Sequence, residues 1–178
     1  MWYFEYPDRN ITPEELADRT TLLDCQRTWS LAVQRFEGNH FFSEAEKITV
    51  LTLKIQLYIM TITTDCSAST LQTPYDAHLD LFKEIVRLSR IILDSMDLDT
   101  ARPWARFTFE ISLIAPIYLT ATRCRCPVTR REALALLKRH PPREGMWDPE
   151  SHAVVVRINS NVSFLQSASS GTSSSTST

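Results

Sequence analysis

The chain has 178 residues, 43% of them hydrophobic, a length and composition that suit one domain with a single sizeable core. Its formal net charge of −2 excludes a global attraction to nucleic acid or to an anionic membrane. Only three glycines occur, Gly38, Gly145 and Gly171, which disfavours tight hairpins and any Gly-rich phosphate-binding loop.

The start, MWYFEYPDRN, has acids where a signal peptide needs a basic region, and no apolar stretch follows it. Thr12-Pro13-Glu14-Glu15 is a capping box with proline at the first helical position. Leu22, Cys25, Trp29, Val33 and Phe36 follow at helical steps and predict the apolar face of a first helix closed by Gly38. Ser43-Glu44-Ala45-Glu46 repeats the box, and the next helix is apolar almost all round, as a central helix would be. Its core, residues 48–62, is too short to span a bilayer comfortably and contains Lys54 and Gln56, so no membrane association is expected.

Thr73-Pro74-Tyr75-Asp76 predicts the start of a third helix, with Leu81, Phe82, Ile85, Leu88, Ile92 and Met96 on one face. A fourth is expected from about Pro103 to Arg123, kinked by Pro116. Thr129-Arg130-Arg131-Glu132 reads as a capping box opening a fifth that Pro141-Pro142 stops, and Asp148-Pro149 can cap a sixth. The sum is an all-α array of about six helices in one domain, residues 12–165. An N-terminal extension (1–11) precedes it, and a Ser/Thr-rich tail (166–178), too poor in apolar groups to fold, follows.

Seven of the 19 Lys and Arg residues lie in 123–148, beside Cys124-x-Cys126. A structural zinc site needs a second ligand pair, and none lies near, so no metal or other cofactor is implied. The four cysteines form no disulfide framework. None of the four histidines sits in a recognisable catalytic motif, and no catalytic residue is assigned. On a helical wheel, Ala133, Leu134, Leu136 and Leu137 share one side and Arg131, Lys138 and Arg139 the other, which describes a docked amphipathic helix. Arg130 and Arg131, placed in a first turn, need carboxylate partners, for which Glu110, Glu144, Asp148 and the Asp94–Asp99 cluster are the candidates. Glu110, within FTFEIS, is the carboxylate expected to be substantially buried, in a structural role, paired with an arginine or capping a neighbouring element. Without helix-turn-helix or finger spacing, direct nucleic-acid binding is not expected.

The ordered elements Phe107-x-Phe109-Glu110, Pro116, Ile117-Tyr118, Ala121, Cys124-Arg125, Pro127, Arg130-Arg131-x-Ala133, Leu136-Leu137 and Arg143-Glu144-Gly145-x-Trp147-Asp148 together resemble a C-terminal segment of fungal zinc-cluster transcription factors. The resemblance implies the fungal-specific transcription factor domain, an α-helical regulatory region, and with it a nuclear location, the cytoplasm being the alternative. The family's six-cysteine zinc cluster is not among these residues. The expectation is therefore a truncated or free-standing, non-enzymatic regulatory module. It would act through protein contacts, with a full-length relative or with itself. The alternative is a small helical enzyme or ligand-binding protein with a pocket between its second, third and fourth helices.

Overall fold

The computed structural model describes residues 12–39, 41–69, 71–98, 107–108, 113–139, 141 and 143–157. The expectations for Phe109, Glu110, the first eleven residues and the tail lie outside them, as does most of the proposed N-terminal half of the fourth helix. Five α-helices follow in order: α1 (Pro13–Asn39), α2 (Glu44–Cys66), α3 (Leu79–Leu98), α4 (Ile114–Arg123) and α5 (Pro127–Leu137). Residues 149–157 add α6. A single parallel pair, β1 (Phe107–Thr108) with β2 (Arg143–Glu144), aligns Phe107 with Arg143 and Thr108 with Glu144. The protein is all-α, as its sequence predicts.

The first two capping boxes form as read. The Glu15 N–H donates to Thr12 Oγ1 at 3.2 Å, while the Thr12 N–H donates to Glu15 Oε2 at 3.0 Å. At α2 the Glu46 N–H donates to Ser43 Oγ, and the Ser43 N–H donates to Glu46 Oε2 at 2.8 Å. The segment from Thr73 starts one turn differently. Thr73–His78 is a 3-10 helix that passes into α3 at Leu79, with Pro74 pre-set for its first turn.

The core draws Ile55 and Ile62 from α2, Phe82, Ile85, Leu88 and Ile92 from α3, and Ile114, Ile117 and Ala121 from α4. Ala133, Leu136 and Leu137 of α5 and Ala153 and Val156 of α6 complete it. The face predicted for α3 is thus the buried one, except that Met96 at its end is exposed. These side chains bring α2, α3 and α4 together. α2 is less enclosed than expected, since Leu53 and Met60 face solvent.

α1 departs most from its sequence reading. Its buried and half-buried residues are Glu15, Arg19, Leu23, Gln26, Ser30, Val33 and Glu37, a largely polar row. Leu22, Trp29 and Phe36, expected to face the core, are each more than half exposed, and Cys25 is exposed too. The polar row has work to do on α2. The Arg19 guanidinium donates to Thr64 O at 3.1 Å and to Asp65 O at 2.7 Å, carbonyls of the last turn, of which Thr64 O also accepts the Ser67 N–H and hydroxyl. Gln26 Nε2 donates to Thr64 Oγ1 at 2.9 Å, and Lys54 Nζ donates to both Glu37 oxygens at 3.1 Å. None of α1's residues enters the main core cluster.

Candidate functional site

The residues singled out at 107–148 converge on α4. That helix begins at Ile114, not near Pro103, because residues 107–108 are extended and paired with β2. Pro116 therefore stands in the first turn instead of a helix interior. A missing N–H costs nothing there, so it starts the helix and does not kink it.

A first turn also carries orphan N–H groups, and Leu113 at the N-cap offers no side-chain acceptor. Glu144 supplies both of its oxygens. The Leu113 N–H donates to Oε1 at 2.7 Å and the Ile114 N–H to Oε2 at 3.0 Å. Glu144 is 2% exposed and is the fully buried carboxylate among the described residues, which do not include Glu110. Its donors lie 31 and 30 residues away in the chain, and no local spacing announces them. The signal available was Gly145 directly after it. Gly145 has φ 56°, the left-handed region that favours glycine, and turns the chain so that Glu144 and Trp147 exchange two backbone hydrogen bonds of 3.1 and 2.8 Å.

The opposite end of α4 is closed by a base. Arg130 Nε donates to Ala121 O at 3.1 Å, one of the last four carbonyls of α4, and the Cys124 N–H donates to Thr120 O at 3.1 Å. Glu144 at the N-terminus and Arg130 at the C-terminus both oppose the helix dipole in the favourable sense. Tyr118 on α4 packs edge-on to Trp147 and His152, at ring-centroid distances of 6.0 and 4.9 Å. Asp148 opens α6 as predicted, its Oδ2 accepting the Ser151 N–H at 2.9 Å and the Ser151 hydroxyl at 2.6 Å. Those bonds hold the Asp148 carboxyl below its ordinary range. Asp148→Ala is expected to lower stability by about 1 kcal/mol in urea unfolding, the usual weight of an N-cap. An effect under a few tenths would mean that α6 holds without its cap.

The rest of the basic run is placed as follows. α5 starts at Pro127 with Cys126 as N-cap, so the capping box read at Thr129 does not form and Thr129 is buried inside the helix. Starting three residues earlier also moves Arg130 and Arg131 beyond the first turn, which relieves the dipole conflict. Arg131 and Arg143 are exposed. Arg125 pairs with Asp76 at 2.6 Å, Arg139 with Asp94 at 2.7 Å, and Arg90 with Glu132 at 3.9 Å. The Asp94 carboxylate thus serves Arg139 instead of Arg130 or Arg131. Pairs this exposed contribute about 0.2–1 kcal/mol each. The predicted inner face, Ala133, Leu136 and Leu137, is buried and Leu134 half-buried.

A second group of titratable side chains lies where α2 ends. Asp65 holds the Arg19 guanidinium with Oδ1 and His78 Nε2 at 2.9 Å with Oδ2. Cys66 adjoins it, 2% exposed. Burial pushes this thiol up to about 11, with Asp65 adding to the shift and Arg19 and Arg123 opposing it. Cys66 is therefore a protonated core thiol at neutral pH and no nucleophile. Cys124, buried at the end of α4, is raised for the same reason. The pH consequence has a definite sign. An unfolded thiol ionises near pH 8.5, so the fold favours the neutral form; the stability is full below that pH and falls as pH rises towards 11. The loss is on the order of 3 kcal/mol. Cys66→Ala should flatten the decline between those pH values, and an unchanged slope would assign it to other groups.

Comparison of the chain with protein-family models, with curated proteins and with solved structures finds no match. Among the described residues, no group of three or more His, Cys, Asp or Glu side chains could hold a metal ion. No described helix is long and apolar enough to cross a membrane.

Proposed function

We propose that this chain is a regulatory helical module of the fungal zinc-cluster transcription factor type, working through protein contacts and not through catalysis. The observation that carries the reading is the shared task of the residues behind the resemblance. Pro116, Glu144 and Arg130 start and close α4, Gly145 makes the turn, Tyr118 and Trp147 pack together, and Asp148 caps α6. Residues so tied to one another serve as the signature of a fold. The apolar row that α1 turns to solvent supports action through contacts.

The test is to tether the chain to an unrelated DNA-binding module upstream of a reporter gene in a fungal cell. A several-fold change in reporter output, in either direction, is expected. Output equal to that of the DNA-binding module alone would overturn the proposal. A gel-shift series with the untethered chain separates the nucleic-acid reading, which requires binding at low salt that falls steeply as salt rises.

A further inference from the structure

The outward row on α1 has a definite period. Leu22, Cys25, Trp29, Ala32 and Phe36 follow steps of three, four, three and four, the a and d positions of two heptads. The row runs for roughly 21 Å of helix. Leu22 is 54% and Trp29 59% exposed, and the row they share forms one apolar patch. An open groove of about 800 Å³ lies along it, bordered by Thr21, Asp24 and Thr28. α1 already uses its adjacent, largely polar row on α2, so this seam is a second face and not the misplaced first one.

Charge along the same side indicates the occupant. Glu14 and Asp18 are exposed on it in the N-terminal half of α1 and Arg35 flanks it in the C-terminal half, while Arg27, on the opposite side, pairs with Asp24 at 2.8 Å. The two charges of opposite order, Arg19 and Glu37, are turned inwards onto Asp65 and Lys54. The outward pattern is thus acidic then basic, complementary to its own reverse. We propose that α1 pairs antiparallel with α1 of a second copy of this chain, forming a two-fold homodimer. Setting Cys25 opposite the partner copy's Trp29 puts Leu22 opposite Ala32 and Asp18 opposite Phe36, next to Arg35, at both ends of the seam. Neither Asp18 nor Arg35 has an ion-pair partner among the described residues. A parallel pairing would set Asp18 against Asp18 and Arg35 against Arg35.

The proposal rests on the reading of the chain as a contact module, but its test does not use transcription. Sedimentation equilibrium of the purified full chain, between about 1 and 100 μM, should show the mass rise from 20.4 kDa towards twice that. Trp29→Glu should weaken the dimer at least tenfold while the helical circular dichroism is kept, Trp29 lying outside the core. Asp18→Arg and Arg35→Asp should each weaken self-association several-fold, because each sets like charges together at both ends. An equimolar mixture of these two should restore dimers, since every end then pairs opposite charges. A chain that stays monomeric overturns the proposal, as does a dimer indifferent to Trp29→Glu. If Trp29→Glu fails to fold, the charge exchange decides alone, and a mixture no better than its components overturns the antiparallel seam. Reporter output from the tethered chain is read separately, so loss of the dimer and loss of the regulatory reading are distinct results.

Discussion

Glu144→Ala is expected to destabilise the protein by about 3 kcal/mol, a large fraction of the usual stability of a domain. Two N–H groups at the start of α4 lose a charged acceptor and stay buried, away from water, so each keeps its desolvation cost without compensation. Glu144→Gln separates the causes. Its Oε1 can still accept one bond, while its NH2 confronts the other donor, so about 2 kcal/mol should be lost at almost constant volume. Urea unfolding followed by circular dichroism checks both, with the midpoint moving and the slope unchanged. A cost under 1 kcal/mol for Glu144→Ala would show that water replaces the carboxylate and that the α4 start is not sealed.

Phe82→Ala should cost about 3–5 kcal/mol, the range for emptying a buried aromatic site. Phe82 is fully buried on α3, its ring 6.4 Å from that of Tyr75. Neighbours on α2 and α4 are packed on other helices and cannot close the space without moving the bundle. Met96→Ala, at the exposed end of the same helix, serves as the control and should stay within about 0.5 kcal/mol. Similar costs for the two would contradict the placement of the core.

Much of this was legible because it is local. A cap joins residues three apart, so the boxes at Thr12 and Ser43 and the cap at Asp148 could be read directly from the chain. The buried faces of α3 and α5 were legible for a similar reason, since each has one clear apolar side and no rival. Thr129 misled because Pro127, two residues earlier, is the better helix opener. Pro116 has two local meanings, an interior kink or a first turn, and the β1–β2 pairing between residues 35 or more apart decided between them.

The sequence by itself determined an all-α chain, where most helices begin, and which residues could fill a core. Those features follow from backbone propensity and a 3.6-residue period, both set within a few turns. Tertiary structure alone decided which of two usable faces α1 would bury and which carboxylate would enter the interior. α1 presents its polar row because the end of α2 has carbonyls to satisfy, which leaves Trp29 outside. Glu144 is buried because the start of α4, some 30 residues earlier, has two N–H groups and no side-chain cap of its own. In both places a polar group goes where an unpartnered backbone group needs it, and the partner is fixed only once the helices have met.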